Sequence, residues 1–449
     1  GKPIMGKINY TVWSDVFVCP HCAEELVFWD VAVDKDKGRI KSEFQCSQCN
    51  ATIEKRSLER AMEQVYDESL KKTITRARQV PVLINYSVDG KKFEKAPDDN
   101  DLAVLKKIDE SEIPYWHPSN QLPNGYNTKQ PEISHGLTHV HHFYTKRNLL
   151  VLANIYETVK SNKQLLLVFQ SIVATLCSKL TRYNFGKRGN CPLSGTLYIA
   201  SLIAEANVLN ALRGKISALS KAFQILKSNK NNVMVTCSSS SNIVVKDSTV
   251  DYIFVDPPFG GNLMYSELNF LWESWLKVFT NNELEAVENS IQCKSTQEYQ
   301  QLMEQCFREF FRILKPGRWM TVEFHNSKNQ IWNAIQEAIN RAGFVVADTR
   351  VLDKKQGSFK QVTSTSTVKQ DLIISAYKPT KDFEERFALK AGTEEGVWEF
   401  VNNHLKKLPI VVETESIIEV ISERQNFLLF DRMVAFHVER GIAVPISSA

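Results

Sequence analysis

The sequence predicts an α/β chain: a largely parallel, doubly wound sheet, a small cysteine-bound module before it and a helical extension after it. Three observations carry this. From about Asn232 onward, strand-like runs alternate with helix-like runs of roughly 10 to 18 residues. Near the start stand Cys19-Pro20-His21-Cys22 and Cys46-Ser47-Gln48-Cys49. Between them in importance is the run Val250-Asp251-Tyr252-Ile253-Phe254-Val255, which ends abruptly in Asp256-Pro257-Pro258-Phe259-Gly260. Such a run reads as a buried parallel strand whose backbone then leaves the sheet, because proline cannot donate to a ladder. Ligands of open α/β sheets bind outside the carboxyl ends of strands, so Asp256 to Phe259 should face a crevice.

Composition bounds the possibilities. The 449 residues are 43% hydrophobic and 24% charged, which suits a globular chain of two or three domains. The net charge of +4 does not by itself announce a nucleic-acid partner. No apolar run approaches the length of a membrane span and no cleavable leader is present, so a cytoplasmic protein with no membrane partner is expected. Four of the nine cysteines form the two close pairs, a usage that fits a reducing compartment better than a disulfide framework.

In the first block, the two Cys-x-x-Cys knuckles can point the thiolates of Cys19, Cys22, Cys46 and Cys49 at one tetrahedral zinc. Leu26, Phe28, Val31 and Val33 alternate between them as strand residues of a zinc ribbon would. A closed site of four cysteines is structural, so the metal should hold the module together without touching a reaction. Ser57 to Leu70 reads as a helix, Lys71 to Arg78 as a basic segment, and Pro81 to Tyr86 as a strand. Lys95 to Asp101 and Trp116 to Pro131 are rich in Pro, Asn, Asp and Gly and read as loops.

His135, His139, His141 and His142 crowd one short stretch. Their spacing is not the helical His-x-x-x-His, and the stretch holds no carboxylate, so metal binding there is disfavoured. The helix that follows begins near Lys146 and Arg147, where the dipole disfavours cations unless an anion compensates; a DNA phosphate is the expected partner. Leu165 to Leu180 and Glu205 to Leu226 read as helices. The loop Tyr183 to Gly189 interleaves aromatic and basic residues, a composition suited to nucleic acid or to an ordinary surface.

The regular part begins with a short strand, Val233 to Thr236, then the central strand ending at Asp256. Leu268, Leu271, Trp272, Trp275, Leu276 and Phe279 share one helical face. A helix from Thr296 to Leu314, a strand from Met320 to Phe324, a helix from Gln330 to Ala342 and a strand from Phe344 to Val346 follow. The last strand, Leu372 to Ala376, joins its predecessor without a helix, as in an antiparallel hairpin. Beyond Pro379 the pattern is helical, including Gly396 to Leu408 and Glu413 to Glu423.

Asp256-Pro257-Pro258-Phe259 resembles the catalytic motif of amino-group DNA methyltransferases. Arg312 to Val322 and Ala342 to Val346 resemble the later helix-turn-strand and helix-strand junctions of that family, in its order. With the cysteine pairs, the whole chain looks like the adenine-specific DNA methylases that contain a zinc ribbon, a group tied to restriction-modification. The resemblance implies a Rossmann-like methyltransferase sheet and S-adenosylmethionine-dependent methylation of an exocyclic amine in DNA, adenine N6 first. Cytosine N4, or a non-catalytic nucleic-acid-binding module that keeps the fold, are the alternatives. Asp256 and the Pro257 carbonyl would accept hydrogen bonds from the amine, Pro258 would stiffen the turn, and Phe259 would stack on the base. Phe359 lies where related enzymes place an aromatic against a flipped base, although core packing would explain it too.

The family's glycine-rich cofactor loop is absent, so no cofactor-binding residue can be named. Gly1 looks like a cut end, and the expectation is a fragment lacking its N-terminal strands or one half of a split enzyme whose partner chain supplies the loop. The expected domains are a zinc ribbon (1–56), a target-recognition and helical region (57–230), a methyltransferase catalytic subdomain (231–379) and a helical extension (380–449).

Overall fold

The computed structural model describes residues 5–186, 189–228, 232–326, 328–352, 371–410, 412–414, 417–419 and 421–447. The chain forms two compact units. One comprises Gly1–Val233 with Tyr265–Thr280, the other Met234–Met264 with Asn281–Ala449.

The first unit is built on β1 (Lys7–Val18), a strand long enough to serve two sets of partners. Its first part pairs antiparallel with β10 (Gln79–Val88) and β12 (Leu202–Ala206), and β10 pairs in turn with β11 (Lys91–Lys95). Its far end pairs with β2 (Glu25–Val27) and β7 (Glu59–Arg60) of the cysteine module. Between these two, Phe28–Ala32 is a short helix, α1, where strand was expected; Phe28, Trp29 and Ala32 turn inward together. Two small pairs complete the module: β3 (Val33–Asp34) with β4 (Arg39–Ile40), and β5 (Glu43–Gln45) with β6 (Thr52–Glu54).

The helix expected over Ser57 to Leu70 does not form. Residues there make β7 and then β8 (Met62–Asp67), a hairpin with β9 (Lys72–Ala77). Burial alternates from Met62 to Asp67 with a period of two, and Lys71 adopts φ +52° at the turn. Cross-strand pairing has overridden the local helix propensity of this stretch.

Two segments expected as loops contain helices. α2 (Asp99–Asp109) starts at a reciprocal capping box between Asp98 and Asp101. α3 (Tyr126–His135) lacks a cap of its own; buried Glu267 instead accepts from the amides of Tyr126 and Asn127 at 3.2 and 2.7 Å. Then come α4 (Lys146–Val159), α5 (Lys163–Val173) and α6 (Val208–Ser228). Glu205, expected in the last of these, sits in β12. The Leu271–Trp275 face of Tyr265–Leu276 packs in the first unit, beside Tyr144, Tyr156 and Phe169, not with the sheet that precedes it.

The second unit holds β13 (Val250–Val255). With Tyr265–Leu276 counted as α7, its later elements are α8 (Thr296–Ile313), β14 (Leu314–Phe324), α9 (Asn329–Arg341), β15 (Val345–Leu352) and β16 (Asp371–Tyr377). The strand order is β13-β14-β16-β15. Among the described residues of this sheet only β13 and β14 run parallel; β16 enters antiparallel between β14 and β15. The sheet is therefore less parallel than the alternation suggested, since β16 pairs antiparallel with both of its neighbours.

One face is covered by α8 and α9, whose Tyr299, Met303, Phe307, Ile331, Ile335 and Ile339 meet Met320, Val322 and Phe324 of β14. The C-terminal helices α10 (Lys381–Leu389), α11 (Glu394–Lys407) and α12 (Asn426–Glu439) form a second core with Tyr377 and Val345. Two further expectations fail. Val233 to Thr236 is not a strand but an exposed irregular segment. Glu413 to Glu423 is not a helix; its described residues form the pair β17 (Val412–Thr414) and β18 (Ile417–Glu419), then a single 3-10 turn.

Candidate active site and cysteine centre

β13 delivers the tetrad. Val255 pairs with Val322 of β14, and the next residue, Asp256, has left the ladder. Asp256 is exposed, Pro257 buried, and Pro258 and Phe259 half-buried. β13 was expected to be central and covered on both faces. It has β14 as its partner among the described residues, and Tyr252 and Phe254 are 54% and 55% exposed.

Three contacts fix the turn. The buried Tyr299 hydroxyl of α8 donates to the Pro258 carbonyl at 2.6 Å. Asn326 Nδ2 donates to the Phe259 carbonyl at 2.9 Å, and the Trp332 indole donates to the Asn326 carbonyl at 2.8 Å. Gly260 closes the turn with φ +63°; a Cβ there would stand 3.2 Å from Ile331 and 3.3 Å from Asn326, so only glycine fits without displacement. The Pro257 carbonyl receives no hydrogen bond from the described residues. A carboxylate and an unused carbonyl thus stand on adjacent residues of a rigid turn.

The Phe259 ring lies edge-to-face on Phe324 at 5.3 Å and beside His325 at 6.1 Å. His325 Nδ1 is 2.9 Å from Asp371 Oδ1, and that carboxylate is buried. Sequence reasoning missed Tyr299, His325, Asn326 and Asp371. A signal existed for two of them, since His325-Asn326 directly follows a strand at the sheet's carboxyl end. Tyr299 looked like an ordinary core position. Phe359 lies outside the described residues.

In the first unit, the four cysteine sulfurs lie within 4.8 Å of one another. Cys19 and Cys49 are 3.8 Å apart, Cys22 and Cys46 3.7 Å. Tetrahedral zinc with Zn–S bonds of about 2.3 Å places its sulfurs ~3.8 Å apart. The two knuckles repeat one backbone turn: the Ala23 and Asn50 amides bond back to Cys19 and Cys46 carbonyls, with φ of +61° and +59°. The amides of Cys49 and Gln48 bring the Cys46 thiol down to about 7. This donor set fits zinc.

The histidines meet a carboxylate that their own stretch lacks. Asp67, from β8, accepts from Nε2 of both His141 and His142 at 2.8 Å, while its other oxygen accepts from the Ser69 and Leu70 amides. The Thr138 amide donates to His142 Nδ1, so the His142 proton sits on Nε2. Metal at that nitrogen would expel the proton and set Nδ1–H against the Thr138 N–H. The cluster is a hydrogen-bonded support. Burial lowers His142 to about 3. Burial alone would raise the Asp67 carboxyl, but the His141 and His142 bonds outweigh it and hold it well below its usual range.

Arg147, expected on a phosphate, is turned inward. Its Nε donates to Glu205 Oε1 at 3.0 Å, and it also reaches Thr11. Glu205 is buried and further accepts from the Trp13 indole at 2.7 Å. The anion that offsets the start of α4 is therefore internal. Lys146 donates to the Asp109 carbonyl at 2.6 Å.

Residues 250–416 match the family model described as DNA methylase. This stretch begins at β13 and includes the tetrad, and it supports a DNA amino-methyltransferase. Solved structures with slight likeness include a protein of Thermus thermophilus provisionally named a DNA modification methylase (13% identity, 33% of this chain and 58% of that one, TM-score 0.20). Another is the same Thermus protein complexed with S-adenosyl-L-methionine (12% identity, 35% of this chain and 58% of that one, TM-score 0.19). A third is an S-adenosylmethionine-dependent methyltransferase from Methanosarcina mazei (11% identity, 37% of this chain and 79% of that one, TM-score 0.20). The chain thus spans 58% of the length of the Thermus protein. No curated protein matches the chain.

Proposed function

We propose that the second unit carries the catalytic turn of an S-adenosylmethionine-dependent DNA methyltransferase acting on adenine N6. The observation that carries this is the turn itself: Asp256 beyond the end of β13, with the Pro257 carbonyl unused and the flanking carbonyls of Pro258 and Phe259 already held. An exocyclic amine is a poor nucleophile because its lone pair is delocalised into the ring. Two acceptors in fixed geometry, the Asp256 carboxylate and the Pro257 carbonyl, orient its N–H bonds and favour a more tetrahedral nitrogen. Phe259 stacks on the base, which must be extruded from the duplex or met unpaired. The cofactor supplies the methyl group; its glycine loop is not found in this sequence and is proposed to come from a further segment or a partner chain.

The ribbon cysteines hold a structural zinc and, with Lys146 in the same unit, belong to the DNA-holding portion. A cytoplasmic restriction-modification setting fits this reading. Cytosine N4 presents the same chemical problem; mass spectrometry of nucleosides from modified DNA separates the two bases. Asp256→Ala, in the protein completed with its cofactor half, should abolish methylation while DNA binding persists. Turnover in that variant would remove the role given to Asp256.

A further inference from the structure

The first unit contains a cleft of about 440 Å³ beside the cysteine module. Its walls include Lys55, Arg182, Tyr183, Phe185, Tyr198 and Ser201. Phe185 stacks on Trp29 at 6.5 Å with the planes 7° apart, and Tyr183 leans on Phe185 at 4.9 Å. Packing onto the module accounts for those two rings.

It does not account for the polar groups among them. Arg182 Nε and Ser201 Oγ are buried with no hydrogen-bond partner. Among the described residues no carboxylate pairs with Arg182 or Lys55, although neither is fully exposed. The Lys55 ammonium rests over the Phe28 ring at 5.0 Å. Burial, and then the charge of Arg60, lower its proton affinity, outweighing the opposing charge of Asp15, with which it forms no ion pair. Groups of this kind are ordinarily paired. Unpaired cations set among aromatic faces are the equipment for a phosphodiester with its base: the charges take the phosphate and a ring takes the base.

We propose that this cleft receives one unstacked nucleotide of a DNA strand, its phosphate against Arg182 and Lys55 and its base against an aromatic wall that includes Tyr198. The assignment of the polymer rests on the DNA reading above. Ser201 offers a hydroxyl for a polar edge of the base or sugar. The cleft is distinct from the Asp256 turn, so it holds the strand and does not react with it.

The test is fluorescence anisotropy of the full, zinc-loaded chain with a labelled single-stranded thymidylate 12-mer. Arg182→Gln should weaken binding by roughly ten-fold and reduce the salt slope by about 0.7. Tyr198→Leu should weaken binding by a similar factor, roughly ten-fold, without changing that slope. Lys55→Gln repeats the charge test should Arg182→Gln fold poorly, with unchanged melting temperature as the control. Parental affinity and salt slope in the charge variants would overturn the proposal, as would no binding by the parent. Displacement of the oligonucleotide by equimolar free thymidine monophosphate would overturn the assignment to a strand. Asp256→Ala keeps the two readings apart. If it ends methylation while Arg182→Gln binds DNA normally, the cleft fails alone. If no DNA is methylated but the cleft variants still weaken binding, the enzymatic reading fails alone.

Discussion

The Tyr299 hydroxyl reaches from the buried face of α8 to the Pro258 carbonyl at 2.6 Å, tying the middle of the tetrad to the main core of its unit. Tyr299→Phe keeps the ring and removes this bond. A loss of about 1 kcal/mol in unfolding free energy is expected. Turnover of the completed enzyme should fall about ten-fold, the scale of 1.4 kcal/mol in a barrier, with DNA affinity unchanged. Unaltered turnover in a well-folded Tyr299→Phe protein would show that the turn holds its shape without the bond.

Metal analysis of the purified chain should find one zinc. Cys22→Ser should lose it, and chelation should lower the melting temperature of the parent but not of the variant. A metal-free parent with an unchanged cysteine module would exclude the ribbon.

Arg147 and Glu205 form a largely buried pair, with side chains 24% and 2% exposed. Removing one partner strands the other's charge. Arg147→Ala should therefore cost about 3 kcal/mol or more in urea unfolding, and Glu205→Gln added to it should recover part of that loss. If Arg147→Ala is neutral for stability and instead weakens DNA binding, the phosphate role expected from the sequence returns.

The histidine-rich support makes the first unit acid-sensitive. Burial lowers His117, His135 and His139, and His142 to about 3 from an ordinary 6.5. Each of these rings takes a proton less readily in the folded chain than in the unfolded one, where it does so below about pH 6.5. A lowered folded value means stability is present above the unfolded value and lost as pH falls. For His142 the loss approaches about 1.4 kcal/mol per pH unit below that point. Urea midpoints measured from pH 7.5 to 5 should fall accordingly; a rising midpoint would reverse the sign of the argument.

What could be read from the sequence was local. β13 and the tetrad, α8, α9 and the antiparallel β15–β16 pair announce themselves through periodicity, prolines and glycine stops. The cysteine cluster followed from spacing. What could not be read depends on partners far along the chain. His141 meets Asp67 from 74 positions away, and Arg147 meets Glu205 across 58. Glu267 caps α3 from 140 residues further on. Ser57 to Leu70 has helix-forming residues, yet a hairpin partner decided its fate. Tyr299 carries the same hydrophobic signature as its core neighbours, and only its hydroxyl's endpoint sets it apart.

The two cysteine knuckles are not equal partners. Each needs a left-handed residue after its second cysteine, and the chain supplies Ala23 in one and Asn50 in the other. Asparagine tolerates that conformation far better than alanine, for which it costs roughly 1 kcal/mol or more. A zinc held by these four thiolates would therefore leave by one door: the Cys19–Cys22 turn should spring open first, with Cys46 and Cys49 the last to let go. Ala23→Gly should relieve the bias and slow chelator-driven zinc release, whereas Asn50→Gly should change it little.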